Sequence, residues 1–159
     1  HNIGKFKNAM TLDIDNFRDF PEKISEIKKK VKKSNKIITY CTGGVKCEKA
    51  SAFLKENGYE YEVINAPGCF EIPYLIKKNI DNFNGFISLG CIIKGDTYHF
   101  EVIANETTRK IMDLSVEFNV PIGFGILTCY DLEQAIIRSD VNQKNKGQEA
   151  ALACIELLK

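Results

Sequence analysis

The segment Gly85–Ile93, with the sequence GFISLGCII, restricts the possible folds of this chain more than any other feature. It is almost continuously apolar and lacks the alternation of apolar and polar residues that marks a strand with one face in water. Such a strand is typical of a parallel sheet that helices cover on both sides. The segment therefore predicts an α/β protein built around a buried parallel sheet.

The other predicted strands and helices alternate along the chain. Asp131, with Gln134 three residues later, predicts the start of one of the helices. Alternation of this kind predicts a three-layer α/β fold with one parallel sheet of four strands. The remaining strands are predicted at 36–40, 61–65 and 120–127, and helices are predicted just before Asn57 and at 73–80, 100–118, 131–138 and 146–158.

Composition and charge exclude several classes of protein. The 159 residues suit one compact domain, and the 22 basic and 21 acidic side chains nearly cancel. We therefore expect no binding to nucleic acid or to a membrane surface. No apolar run reaches the roughly 18 residues of a spanning helix, which predicts a soluble protein. The six cysteines lie mostly in apolar segments without a CxxC pair, which favours a cytoplasmic protein with no bound metal and no disulfide framework.

Four loops are predicted to share one edge of the sheet. Ligands of open parallel sheets bind beyond the carboxyl ends of the strands. The predicted binding edge therefore consists of the loops 41–47, 66–71, 93–99 and 124–129.

The loop 94–99 leads into the longest predicted helix. Gly95, Asp96 and Thr97 lie where exposed amides and the helix dipole favour a phosphate, although Asp and Thr are also ordinary helix caps. His99 follows them, and an imidazole can transfer protons near neutral pH. A structural role for His99 is the alternative, and the residues alone leave both pairs of interpretations open.

Three further candidates also have two interpretations each. The planar guanidinium of Arg138 suits a substrate phosphate, but a surface ion pair explains it as well. Lys146 has the same two interpretations. Cys41 follows a strand and precedes a glycine loop, where backbone amides stabilise a nucleophilic thiolate. The alternative is a glycine turn with incidental thiols.

From about Ile64 to its C-terminus the chain contains a series of motifs in a fixed order. They are APGCFEIP at 66–73, LGCIIKGDTYHFE at 89–101, GFGILT at 123–128, EQAI at 133–136, Arg138, and NKG at 145–147. In these segments the chain resembles the 6,7-dimethyl-8-ribityllumazine synthase family. The resemblance implies a flavodoxin-like fold and a transferase of riboflavin biosynthesis, which condenses 5-amino-6-ribitylaminouracil with 3,4-dihydroxy-2-butanone 4-phosphate and uses no cofactor.

The same resemblance implies roles for individual residues. His99 is the implied proton carrier. A homo-oligomer, a pentamer or larger, is also implied, because the sites of this family lie between subunits. The implied substrate-binding residues are Gly95, Asp96, Thr97 and Arg138 for the phosphate, Cys69, Phe70 and Glu71 for the ribityl chain, Ile92 and Ile93 for the pyrimidine, and Phe124 with Lys146 from a neighbouring subunit.

Three further motifs lie between Ile3 and about Tyr61, namely IGKFKNA at 3–9, FRDFP at 17–21 and YCTGGVKCEKAS at 40–51. In these the chain resembles the latter part of a rhodanese domain, of the type linked to tRNA uridine hydroxylation. The two resemblances together imply a composite chain, which is a natural recombinant, a deliberate chimera or a misjoined sequence. In it a rhodanese-like fragment at 1–61 supplies a βαβ unit to a lumazine synthase-like region at 62–159, within one mixed domain. The alternative functions are sulfur transfer through a Cys41 persulfide and a hybrid without catalytic activity.

Overall fold

A four-stranded parallel sheet organises the described part of the chain, which comprises residues 36–41 and 52–158 of a computed structural model. Its strands, in chain order, are β1 (Lys36–Cys41), β2 (Glu60–Asn65), β3 (Gly85–Ile93) and β4 (Ile122–Cys129). The spatial order is β2-β1-β3-β4, and all three neighbouring pairs are parallel. The predicted α/β fold with four parallel strands is confirmed.

Helices connect the strands as the sequence predicts. Residues 52–56 are helical and end at Gly58, whose φ of +77° is the left-handed conformation that glycine adopts easily. None of the helices in the described residues is long and apolar enough to cross a membrane. The other helices are α1 (Ile72–Lys78), which follows a 3-10 turn at Cys69–Glu71, α2 (His99–Glu117), α3 (Leu132–Ser139) and α4 (Lys146–Leu157).

The sheet separates two apolar layers because successive residues of a strand face opposite sides. The first six residues of β3 are all buried, as its continuous apolar sequence predicts. One layer joins β1 and β3 to α4 and the helical residues 52–56. The other joins the sheet to α1 and α2, and we call this side the α2 face and the opposite side the α4 face. The α4 layer contains Ile37, Leu54, Ile87, Leu89, Ala150, Ala151, Cys154 and Ile155, and the α2 layer is centred on Ile38, Tyr40, Ile72, Ile76, Phe86, Ile111, Leu114 and Ile126.

Tyr40 fixes the carboxyl end of α1 from within the α2 layer. The side chain of Tyr40 is fully buried, and its hydroxyl donates a 2.8 Å hydrogen bond to the carbonyl of Leu75. The side-chain amide of Asn79 donates to the Tyr40 hydroxyl oxygen and to the same Leu75 carbonyl. The backbone N–H of Asn79 bonds instead to the carbonyl of Ile76, which tightens the last turn of the helix. Burial raises the pKa of Tyr40 to about 12. The hydroxyl is therefore a neutral donor that satisfies a helix-end carbonyl.

Glycines on β4 allow α4 to approach the sheet closely. A β-carbon at Gly123 would overlap the carbonyl oxygen of Ala150 and lie 3.2 Å from the β-carbon of Cys154. At Gly125 it would lie 3.1 Å from the β-carbon of Ala150. Because the obstacle at Gly123 is backbone, no side chain can turn aside to make room.

We expect Gly123→Ala to lower the free energy of unfolding by about 3 kcal/mol, since α4 must move away from the sheet. Gly147→Ala is the matched control, because a β-carbon there meets nothing within 4 Å. In helix α4 this control should be neutral or stabilising by up to about 1 kcal/mol. Urea unfolding at one fixed protein concentration measures both variants. Equal effects of the two substitutions would contradict the close-approach explanation.

Candidate active site at the carboxyl edge of the sheet

The carboxyl edge of the sheet is uneven, because β3 and β4 extend further than β1 and β2. Cys41, the last residue of β1, is level with Leu89, whereas the pairing of β3 with β4 continues to Ile93 and Cys129. The prediction of a loop at 124–129 is therefore wrong. Those residues form most of β4, since their backbone pairs with β3 throughout, and the turn that follows the strand is Tyr130–Asp131.

The loop 94–98 follows β3 at this edge and leads directly into α2. Gly95, Asp96 and Thr97 are all exposed. The N-cap residue of α2 is Tyr98, and no side chain caps the helix there. Asp96 and Thr97 are thus not used as helix caps, which was the structural interpretation of these residues. A β-carbon at Gly95 would meet nothing within 4 Å, so there is open space above the loop.

The remaining candidates on the α2 face lie beside this loop. His99 is the first residue of α2 and is exposed. Ile92 packs partly buried against the α2 layer. The turn Cys69–Glu71 contacts both α2 and β3. Within that turn the side chain of Cys69 is buried in the core, whereas Phe70 and Glu71 are exposed. Cys69 can therefore reach a ligand only through its backbone.

Arg138 and Lys146 lie on the other side of the sheet. Arg138 is in the last turn of α3, where its Nη1 donates a 3.2 Å hydrogen bond to the carbonyl of Gln134. It lines a small cavity with Leu89, Gly125 and Leu127. Leu89 belongs to the α4 layer, and Gly125 lies against Ala150 of α4, so this cavity is on the α4 face. Within the described residues Arg138 has no carboxylate partner, so the surface ion-pair interpretation does not apply to it there.

Ile93, Lys146 and Phe124 complete the set of candidates with described side chains. Ile93 is the last residue of β3, and its side chain is exposed. Lys146 begins α4 and pairs with Glu149 at 2.5 Å, so the ion-pair interpretation holds for this lysine. Phe124 is 41% exposed in the middle of β4, on the same face as Ile122 and Ile126. It lies five residues before the carboxyl end of the strand and thus away from the edge loops.

Cys41 is the last residue of β1, and the glycine loop that follows it lies outside the described residues. The predictions for residues 1–35 also lie outside them. Among the described residues, no group of three or more His, Cys, Asp or Glu side chains forms a possible metal site.

The family model described as 6,7-dimethyl-8-ribityllumazine synthase matches residues 44–159. The chain belongs to the 6,7-dimethyl-8-ribityllumazine synthase family. This confirms the predicted family and the predicted enzyme class, a transferase of riboflavin biosynthesis. The match begins upstream of the junction predicted at residues 61 and 62.

Individual lumazine synthases are similar over the same part of the chain. The protein of this name from Novosphingobium aromaticivorans is 47% identical over 111 residues, which cover 69% of this chain and 79% of the relative. That from Zymomonas mobilis is 44% identical over 110 residues, covering 68% and 78%. The relative named 6,7-dimethyl-8-ribityllumazine synthase 1, from Mesorhizobium japonicum, is 42% identical over 116 residues, covering 69% and 71%.

The sequence of this lumazine synthase family member did not predict a role for Lys94 and the three side chains around it. The Nζ of Lys94 forms a 2.7 Å ion pair with Glu101 and lies 5.9 Å from the ring centre of Phe100 and 5.8 Å from that of Tyr130. The hydrogen bond between Lys94 and Glu101 raises the pKa of Lys94 and lowers that of Glu101. The sequence does contain a signal for this contact, since Lys94 and Glu101 have opposite charges. Such pairs are recognisable when both residues lie on one helix three or four positions apart, whereas here a loop separates the two residues.

The start of α3 is fixed by a cap that the sequence does predict. The Asp131 carboxylate accepts a 2.7 Å hydrogen bond from the N–H of Gln134, as expected for an N-cap. The Gln134 side chain in turn accepts a bond from the N–H of Tyr130, at 3.2 Å. This cap ties the turn after β4 to the helix that carries Arg138.

Proposed function

We propose that this chain condenses 5-amino-6-ribitylaminouracil with 3,4-dihydroxy-2-butanone 4-phosphate to give 6,7-dimethyl-8-ribityllumazine, phosphate and water. Membership of the lumazine synthase family is the observation that carries the proposal. The reaction requires a phosphate site, a group that moves protons, and an amine held beside a ketone. The edge of the sheet contains residues suited to each requirement.

The 94–98 loop is the proposed phosphate site. The first backbone N–H groups of a helix have no partner within the helix, and the helix dipole adds partial positive charge. At α2 no side chain caps this end, and Gly95, Asp96 and Thr97 are exposed beside open space. A phosphate can therefore take the place that a capping side chain occupies in other helices.

His99 is the proposed proton carrier. It is exposed at the first position of α2, directly after the proposed phosphate site. Formation of the imine requires loss of water, and elimination of phosphate requires removal of a proton from carbon. An imidazole can both donate and accept protons near neutral pH, so one side chain at this position can serve both steps.

The turn Cys69–Glu71 and the end of β3 are proposed to hold the second substrate. Glu71 is exposed and can accept hydrogen bonds from the ribityl hydroxyl groups, while buried Cys69 contributes only backbone atoms. The backbone of Ile92 and Ile93 is proposed to bind the pyrimidine edge. Parallel pairing and the α2 layer hold these groups rigidly, which favours the orientation that the condensation needs.

A neighbouring copy of the chain is proposed to complete the site in a pentamer or larger assembly. In one chain, Arg138 and Lys146 are on the α4 face, whereas the 94–98 loop and His99 are on the side of α2. A second chain can supply these cations, together with the exposed ring of Phe124. Several exposed apolar side chains also suit subunit contacts, among them Val102, Met112, Val116, Leu132 and Ile136.

The proposal extends to the origin and location of the protein. Residues 1–61 are proposed to be a rhodanese-like fragment joined to the lumazine synthase-like region, supported by the motifs around Cys41 and by the order β1, helix, β2. The free thiol of Cys154 is buried in the core, which suits a reducing cytoplasm. Persulfide chemistry at Cys41 stays a prediction.

We expect Arg138→Ala to lower kcat/KM for the phosphate-bearing substrate about 10- to 100-fold, because a charge-assisted contact to phosphate is lost. Formation of the fluorescent lumazine measures the rate, after correction for the uncatalysed reaction. Arg109→Ala is the matched control, since this arginine pairs with Glu106 and Asp113 on the surface of α2. Its activity should stay within about twofold of the parent chain. No turnover above background by the parent chain would refute the proposed reaction.

We expect the chain to sediment as a pentamer or larger species, and Phe124→Asp to shift it to smaller species. A carboxylate at this exposed strand position would have to be desolvated at the interface. Sedimentation velocity measures the assembly, and circular dichroism checks that the variant remains folded. A folded variant of unchanged size would show that Phe124 is not at a subunit contact.

A further inference from the structure

The 94–98 loop is anchored at both of its ends by Lys94. Its backbone N–H donates a 2.9 Å hydrogen bond to the carbonyl of Cys129, which fixes the start of the loop to the end of β4. Its side-chain ammonium reaches across the loop to Glu101, in the first turn of α2, with 2.7 Å between Nζ and Oε1. One residue therefore joins the end of the sheet to the start of the helix.

Two aromatic rings restrict the direction of the Lys94 side chain. The rings of Phe100, on α2, and Tyr130, after β4, lie 6.4 Å apart, and the ammonium is within 6 Å of each. Cation–π attraction adds to the ion pair at this distance. The second carboxylate oxygen of Glu101 is buried and has no hydrogen-bond partner. The hydrogen bond from Lys94 is the largest contribution that lowers the pKa of this carboxyl, ahead of the backbone N–H of Glu101 itself, so Lys94 is its main stabilising partner.

We propose that the Lys94–Glu101 ion pair is a brace that holds the 94–98 loop in the conformation that binds phosphate. The proposal rests on the proposed function, and it makes Lys94 and Glu101 positioning residues for the phosphate-bearing substrate. They act through the loop and do not touch the substrate themselves. The backbone bond to Cys129 fixes the start of the loop, and the ion pair ties that start to the first turn of α2, so the spacing between the amides of Gly95, Asp96 and Thr97 depends on the pair.

Two simpler explanations predict different results from the brace. The first is that the ion pair only stabilises the whole fold. However, the Lys94 side chain is 43% exposed, and ion pairs with exposed partners contribute little to the free energy of unfolding. The second is direct attraction between the Lys94 charge and the phosphate. If charge alone mattered, removing the negative Glu101 would strengthen phosphate binding. The brace predicts the opposite sign for this substitution, so the Glu101 variant separates the two explanations.

The test uses Lys94→Met, Glu101→Met and the double variant, with steady-state KM measured for each substrate. Each variant should raise KM for the phosphate-bearing substrate about fivefold, the size of one positioned ion pair. KM for the pyrimidine substrate should stay within about twofold, because the loop is not proposed to contact that substrate. The double variant should be no worse than either single variant, since both break the same interaction. Lys94→Arg should restore the parent KM by keeping the ion pair.

Arg109→Met is the control, because it breaks ion pairs on the same helix that do not span the loop. It should leave both KM values unchanged. If Glu101→Met does not fold, Glu101→Gln replaces it, with the same direction of change expected. A lower or unchanged KM in the folded Glu101 variant would overturn the brace. Absence of turnover in the parent chain would instead refute the proposed function, so the two failures are distinguishable.

Discussion

The parallel pairing of β3 with β4, from Phe86 and Ile122 to Ile93 and Cys129, is the constraint on which the site depends. Buried backbone groups must be paired, and this ladder satisfies them while both faces of β3 are covered by helices. The pairing carries the two strands beyond the end of β1. It therefore brings the start of the 94–98 loop and the turn after β4 together, where Lys94 bonds to Cys129.

The two faces of the sheet divide the proposed chemistry. The α2 side holds the uncapped helix start, His99 and the turn Cys69–Glu71, while the α4 side holds Arg138 and Lys146. A single chain thus presents the proposed proton carrier on one side of the sheet and Arg138 and Lys146 on the other. In the proposed function, a neighbouring copy of the chain brings these cations to the proton carrier, which would link assembly to catalysis. The close approach of α4 at Gly123 fixes the helix on which Lys146 lies.

Much of the fold could be predicted because its signals are local. The continuous apolar sequence of β3, the Asp131 cap and the glycine after residues 52–56 each specify an element with little help from distant residues. The candidate site was predicted from motifs at the strand ends, and its residues stay a prediction. The loop predicted at 124–129 was misplaced because the exposed residues Phe124 and Thr128 belong to the edge strand itself, so nothing local marks Cys129 as the end of that strand. The Lys94–Glu101 contact could not be predicted, since it depends on how the loop turns. The burial of Cys69 beside exposed Phe70 and Glu71 likewise follows only from the 3-10 turn.

The central claim is that the amides of the 94–98 loop and the first turn of α2 form an anion site. Hydrogen–deuterium exchange, followed by mass spectrometry with and without inorganic phosphate, tests it most directly because it reads those amides in the assembled protein. The account predicts slower exchange in peptides covering 95–101, and no such change with an equal concentration of chloride. Protection confined to other segments, or no protection with phosphate present, would contradict it.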